Sequence, residues 1–61
     1  MKIVLCKDDM YVLMVNNRVA YVFDKKEATD FANVAVEDFV KIKKNLEERE
    51  GTQFELEFVH F

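Results

Sequence analysis

Serine, proline and tryptophan are absent from this 61-residue chain, while cysteine, histidine and glycine occur once each, as Cys6, His60 and Gly51. Each scarcity removes a class of chemistry. One cysteine excludes an internal disulfide, and Cys6 with His60 falls short of a Cys/His zinc cage. Without serine the nucleophiles are Cys6, Thr29 and Thr52, and His60 is the only imidazole base that could serve them. A single glycine leaves no phosphate-cradling glycine loop. The longest apolar run, within Met10–Val15, is six residues, against the ~20 that span a bilayer. With no targeting segment and a lone thiol, the expected setting is cytoplasmic.

Against these gaps stand 51% hydrophobic and 34% charged residues, the composition of a globular chain. The length suits one domain, residues 1–61. A domain this small buries only ~60% of the surface that its unfolded chain exposes, so its core is marginal unless a partner reinforces it. The net charge of −3 is unevenly spread. Residues 1–46 carry eight Lys/Arg against seven Asp/Glu, whereas residues 47–61 carry Arg49 against five glutamates. The totals therefore predict no basic face for nucleic acid.

The first third of the chain reads as strands. Ile3-Val4-Leu5-Cys6 ends in the polar break Lys7-Asp8-Asp9, and the runs Met10–Val15 and Val19–Phe23 flank Asn16-Asn17. Asparagine tolerates positive φ, so the pair predicts a two-residue type I′ hairpin. The period then changes. Asp24-Lys25-Lys26-Glu27 has capping-box spacing, and Ala28, Ala32, Ala35, Phe39, Ile42 and Leu46 follow at helical intervals, widened by Phe31. Gly51 is a natural stop. These signals predict a helix from about Lys25 to Arg49, ~37 Å long. From Thr52 onward alternation returns, with Phe54, Leu56 and Phe58 predicted on the core side and Glu55 and Glu57 opposite.

The order β-β-β-α-β predicts an α+β fold: a mixed four-stranded sheet, order 3-2-1-4, with one long helix packed on one face. A helical crossover back to the sheet makes the last strand parallel to the first. The alternative sets the last strand beside the third.

Every chemical constellation has a bland reading beside it. Parallel first and last strands would bring Cys6 and His60 to one end of the sheet, where a thiolate pair is conceivable; a small buried hydrophobe and a fraying chain end are the simpler reading. Asp8-Asp9 suits a solvated turn better than a cation site. Glu37 and Asp38 fall on different helix sides, and Glu55 with Glu57 forms an ordinary polar strand face. The expectation is therefore no enzyme, no cofactor and no metal. Tyr11, Tyr21, Phe23 and Phe54, with Lys2, Lys7 and Arg18, could imitate a base-stacking sheet, with Lys41, Lys43 and Lys44 on the helix adding charge. The glycine- and aromatic-rich signature of RNA-binding sheets is missing, so nucleic acid is the alternative reading.

The remaining anomaly is surplus apolar surface. One helix covers one sheet face, leaving Val12, Met14 and Val22, the terminal Val59 and Phe61, and Val36 and Val40 on the helix as a candidate interface. The expectation is a non-enzymatic protein-interaction module, a homodimer or the binder of another protein. Size and chemical bareness suit an accessory or inhibitor protein of phage type. A purely structural homo-oligomer is the third possibility.

Overall fold

A computed structural model describes residues 1–60. Strands β1 (Lys2–Lys7), β2 (Met10–Val15) and β3 (Arg18–Val22) are followed by helix α1 (Val36–Glu50) and strand β4 (Glu55–Val59). The sheet order is β3-β2-β1-β4, the predicted 3-2-1-4. Every neighbouring pair is antiparallel, including β1 with β4. The predicted mixed sheet, with its last strand parallel to the first, is thus corrected to a wholly antiparallel one.

Turn chemistry explains the hairpins. Asn16 and Asn17 both take positive φ (51° and 65°) between the paired Val15 and Arg18, the type I′ geometry that matches strand twist. Asp8, at φ 55°, turns β1 into β2. That hairpin then opens. Only Cys6–Tyr11 and Lys7–Met10 pair across it, and the lower halves of the two strands diverge into a fork.

The connector 23–35 fills the fork. Thr29 donates its N–H to the Val12 carbonyl (3.0 Å), and its hydroxyl accepts from Met14 N–H (2.7 Å). On the other side Phe31 N–H donates to the Ile3 carbonyl (2.8 Å), and Ile3 N–H donates to Asp30 Oδ1 (3.1 Å). Ala28 packs with Val4 and Val59 on one sheet face, whereas Phe31 joins Leu5, Val12, Leu46 and Phe54 on the other. The chain therefore passes between β1 and β2 from face to face.

This passage corrects the predicted helix, which begins eleven residues later than Lys25, at Val36. Asp24 Oδ1 accepts from Lys26 N–H, and Asp30 Oδ1 accepts from Ala32 N–H. Such side-chain bonds stabilise turns in competition with the helix. Ala28 and Phe31 have helical spacing but anchor opposite faces. The passage also explains the strand direction. The connector descends and α1 ascends, so the chain returns to the end of the sheet where β3 stopped, and β4 runs antiparallel to β1.

Helix α1 starts at Ala35 without a side-chain cap, although Glu37 and Asp38 in its first turn complement the dipole. It ends as predicted at Gly51, φ 67°. Glu47 fixes the exit: its carbonyl accepts from Gly51 N–H (2.9 Å) and Thr52 N–H (3.2 Å), and its carboxylate accepts from Phe54 N–H (2.9 Å) and Lys43 Nζ (2.8 Å). Lys43, followed by the Phe54 amide, holds that carboxyl below the usual range.

The core under α1 is built on Leu5, Val12, Phe31, Leu46 and Phe54, with Ile3, Met14, Val19, Tyr21, Phe39 and Ile42 packed around it. Val12 and Met14 thus belong beneath the helix, not on a bare face. The opposite face holds the smaller cluster of Val4, Ala28 and Val59, with Tyr11 and Val22 against it. Val12 is fully buried and Val59 is 3% exposed, so neither presents a surface. Met14 and Val22 are half-buried. Burial takes Val12 and Val59 out of the expected interface, and the helix covers the side on which Met14 lies; Val22 stays on the face opposite the helix. Phe61 lies outside the described residues.

Candidate functional site

Four of the exposed large hydrophobic residues, Val36, Val40, Leu56 and Phe58, gather where α1 runs out of sheet to cover. Met1, Val15 and Phe23 are exposed elsewhere, at the chain start, the end of β2 and the connector. Four strands at ~4.8 Å spacing place the outer strand axes ~14 Å apart, more than one helix ~10 Å across can roof. The C-terminal half of α1 sits toward β3, where Ile42, Asn45, Leu46 and Arg49 face Met14 and Val19. Its N-terminal half leaves a cleft of about 410 Å³ toward β4, lined by Ile3, Phe31, Ala32, Val34, Val36, Phe39, Val40 and Leu56. Phe58 stands beside it, cross-strand from Ile3. Val36 is 78% exposed, Val40 56%, Phe58 55% and Leu56 40%. Val36, Val40 and Leu56, all exposed, thus line one apolar cleft.

Val36 and Val40 were legible in the sequence as apolar residues off the helical stripe. Leu56 and Phe58 were not, because their alternation placed them in the core. The missing signal was the edge position of the last strand: in a 3-2-1-4 sheet with one helix, its inward side chains are the ones a helix fails to reach.

The other candidates do not assemble. Cys6 pairs with Glu55 and Lys2 with Val59, so the antiparallel β4 carries His60 toward the end of the sheet opposite Cys6, roughly 16 Å along the strand. Burial, followed by Glu57 and Glu55, pushes the Cys6 thiol up and away from thiolate. Thr29 is held by Met14 through both main-chain groups. Asp8 and Asp9 form the hairpin turn. Among the described residues no three His, Cys, Asp or Glu groups gather as metal ligands.

The aromatic residues do not share one platform. Tyr21 stacks on Phe54 (6.3 Å, 8°) on the helix side, whereas Tyr11 packs with the cluster on the opposite face and Phe23 is 78% exposed in the connector. Of the helix lysines, Lys43 is engaged by Glu47; Lys41 and Lys44 are exposed.

Glu55 and Glu57 border the cleft strand from the other face. Neither has a salt-bridge partner among the described residues, and one carboxylate oxygen of Glu57 is buried with no hydrogen bond. No helix among those residues is long and apolar enough to cross a membrane. Comparison of the chain with protein-family models, curated proteins and solved structures gave no match.

Proposed function

We propose that this chain is a small protein-binding module, accessory or inhibitory in role, that docks a partner at the cleft between α1 and β4. The observation that supports the reading is the concentration of exposed Val36, Val40, Leu56 and Phe58 on one side of the molecule. An apolar centre with charged surroundings is the anatomy of a protein interface. The nucleic-acid reading is weaker, because the strand aromatics divide between two faces and Lys43 is already paired.

A photo-crosslinker placed at Val40, with a second at the exposed Ala20 on the far face as control, tests the reading in the source cell. One protein adduct formed from position 40 and absent from position 20 is the expected result. Adducts only with nucleic acid, or no adduct from position 40, would overturn it. An adduct only with this same chain would turn the reading into that of a homo-oligomer.

A further inference from the structure

We infer that the free edge of β4 receives an added strand from a protein partner whose residues alternate between large apolar groups and Lys or Arg. This deepens the docking reading above and rests on it.

Hydrogen-bond direction comes first. Ile3 uses its N–H and C=O on the connector side, toward Asp30 and Phe31. Its cross-strand neighbour Phe58 is therefore in a pair without mutual hydrogen bonds, and its main-chain groups point away from β1. Leu56, two residues earlier, points the same way. β4 is the outermost strand, so these N–H and C=O groups form a template for strand addition.

Side chains then specify the occupant. A strand laid against this edge places alternate residues on the two faces. On the helix face they meet Leu56, Phe58 and Val40, which are matched by large apolar groups. On the other face they meet Glu55 and Glu57, which have no salt-bridge partners among the described residues. Lys or Arg there supplies the missing charge, first to the exposed Glu55 and then to the half-buried Glu57.

The same charges disfavour two of the registers open to a second copy. In a two-fold antiparallel arrangement, the register that pairs the whole of β4 sets Glu57 against its own copy. The register displaced toward the N-terminal end sets Glu55 against Glu57 twice. Like charges directly opposite one another destabilise strand pairing. The register displaced toward the C-terminal end sets Phe58 against Phe58 and Glu57 against Val59, and sedimentation decides it.

The test uses the intact chain and a synthetic peptide alternating lysine with valine and phenylalanine. Its comparison peptides carry glutamate for lysine, or N-methyl groups on the edge-facing amides. The expected result is saturable binding with slowed hydrogen exchange at the Leu56 and Phe58 amides. Affinity should fall about tenfold or more with either comparison peptide or with the double variant Glu55→Gln and Glu57→Gln. Equal binding of the glutamate peptide, or binding without amide protection, would overturn strand addition while leaving apolar docking intact. No binding at millimolar peptide would overturn the inference, and the crosslink from Val40 would still decide the docking reading separately. A dimer in sedimentation equilibrium that protects those two amides would assign the edge to a second copy and overturn it too.

Discussion

The two edges of the sheet are built from the same alternating pattern and end differently. At the β3 edge, Val19 and Tyr21 turn under the C-terminal half of α1. The Tyr21 hydroxyl donates to Glu50 Oε1 (2.8 Å), and its ring stacks on Phe54. At the β4 edge, Leu56 and Phe58 turn toward the same side and find no roof. Strand propensity is comparable; helix position differs. The diagonal of α1 covers one edge and leaves the other open, so solvent exposure of an alternating strand is decided by tertiary placement. The closed edge carries a polar latch, while the open edge carries apolar groups on one face and, on the other, carboxylates with no salt-bridge partner among the described residues.

The comparison breaks most directly if an open-edge residue supports the fold as strongly as a roofed one. Phe31, 4% exposed, packs edge-on against Phe39 at 5.5 Å and enters the core where the connector leaves the fork. Phe31→Ala should cost ~3–5 kcal/mol in urea denaturation, enough to unfold much of so small a domain. Phe58→Ala, at an exposed position, should cost about 1 kcal/mol or less. Comparable losses would mean that the β4 edge is structurally closed.

The fork itself provides the next largest effect. Thr29→Val keeps shape but removes the hydroxyl that accepts from Met14 N–H and donates to the Met14 carbonyl (3.4 Å). Leaving a half-buried main-chain donor unpaired should cost ~1–3 kcal/mol. The loss should appear as faster hydrogen exchange at Met14, with little change at Leu56 or Phe58. Acceleration at both places would show that the two sides of the sheet open together.

What was legible in the sequence follows the range of the forces involved. Asn16-Asn17 and Gly51 declared themselves because positive φ is a local demand. The strand order was legible, but the crossover argument behind it gave β4 the wrong direction, because the helix was started before the connector's descent. The fork did not, because Ala28 and Phe31 have the spacing of a helical face while the hydrogen-bonding partners that pull them apart, Ile3, Val12 and Met14, lie 15 or more residues away in sequence. Val12 and Met14 were assigned to the bare face for the same reason. Their parity was readable, but which side the helix takes is fixed by where the connector crosses. The candidate site was half legible, since Val36 and Val40 are conspicuous on their own helix and Leu56 and Phe58 become conspicuous only at an uncovered edge.

A smaller effect probes the hinge between the two edges, the turn that carries the chain from the roofed side to β4. Gly51 sits at φ 67°, and an added Cβ would meet nothing within 4 Å. The cost of Gly51→Ala is therefore backbone strain alone, about 1 kcal/mol. Gly51→Asn should cost less, since asparagine tolerates this region. If alanine cost no more than asparagine by chemical denaturation, the left-handed cap would not be setting the approach of the chain to β4.

The smallest effect belongs to the latch on the closed edge and is read by pH. Burial, followed by the hydrogen bond to Glu50 and that residue's charge, pushes Tyr21 up to about 12 from 10. A raised pKa means that the folded chain favours the neutral phenol. Its contribution is fully present below pH 10, the unfolded value, and is lost as pH rises through about 12, the folded value. Across that window the unfolded chain gives up its proton before the folded one does. Tyr11 is raised as well, first by burial and then by Glu57, so the informative quantity is the difference between wild type and Tyr21→Phe. The two should denature alike near neutral pH to within about 1 kcal/mol, the scale of an exposed hydrogen bond. Wild type should then lose ground to the variant between pH 10 and 12, as the phenolate forfeits its donation to Glu50 and faces a like charge. If the difference stays flat through that window, the Tyr21–Glu50 contact is not a latch, and the β3 edge is closed by the packing of Ile42 and Leu46 over Val19 alone.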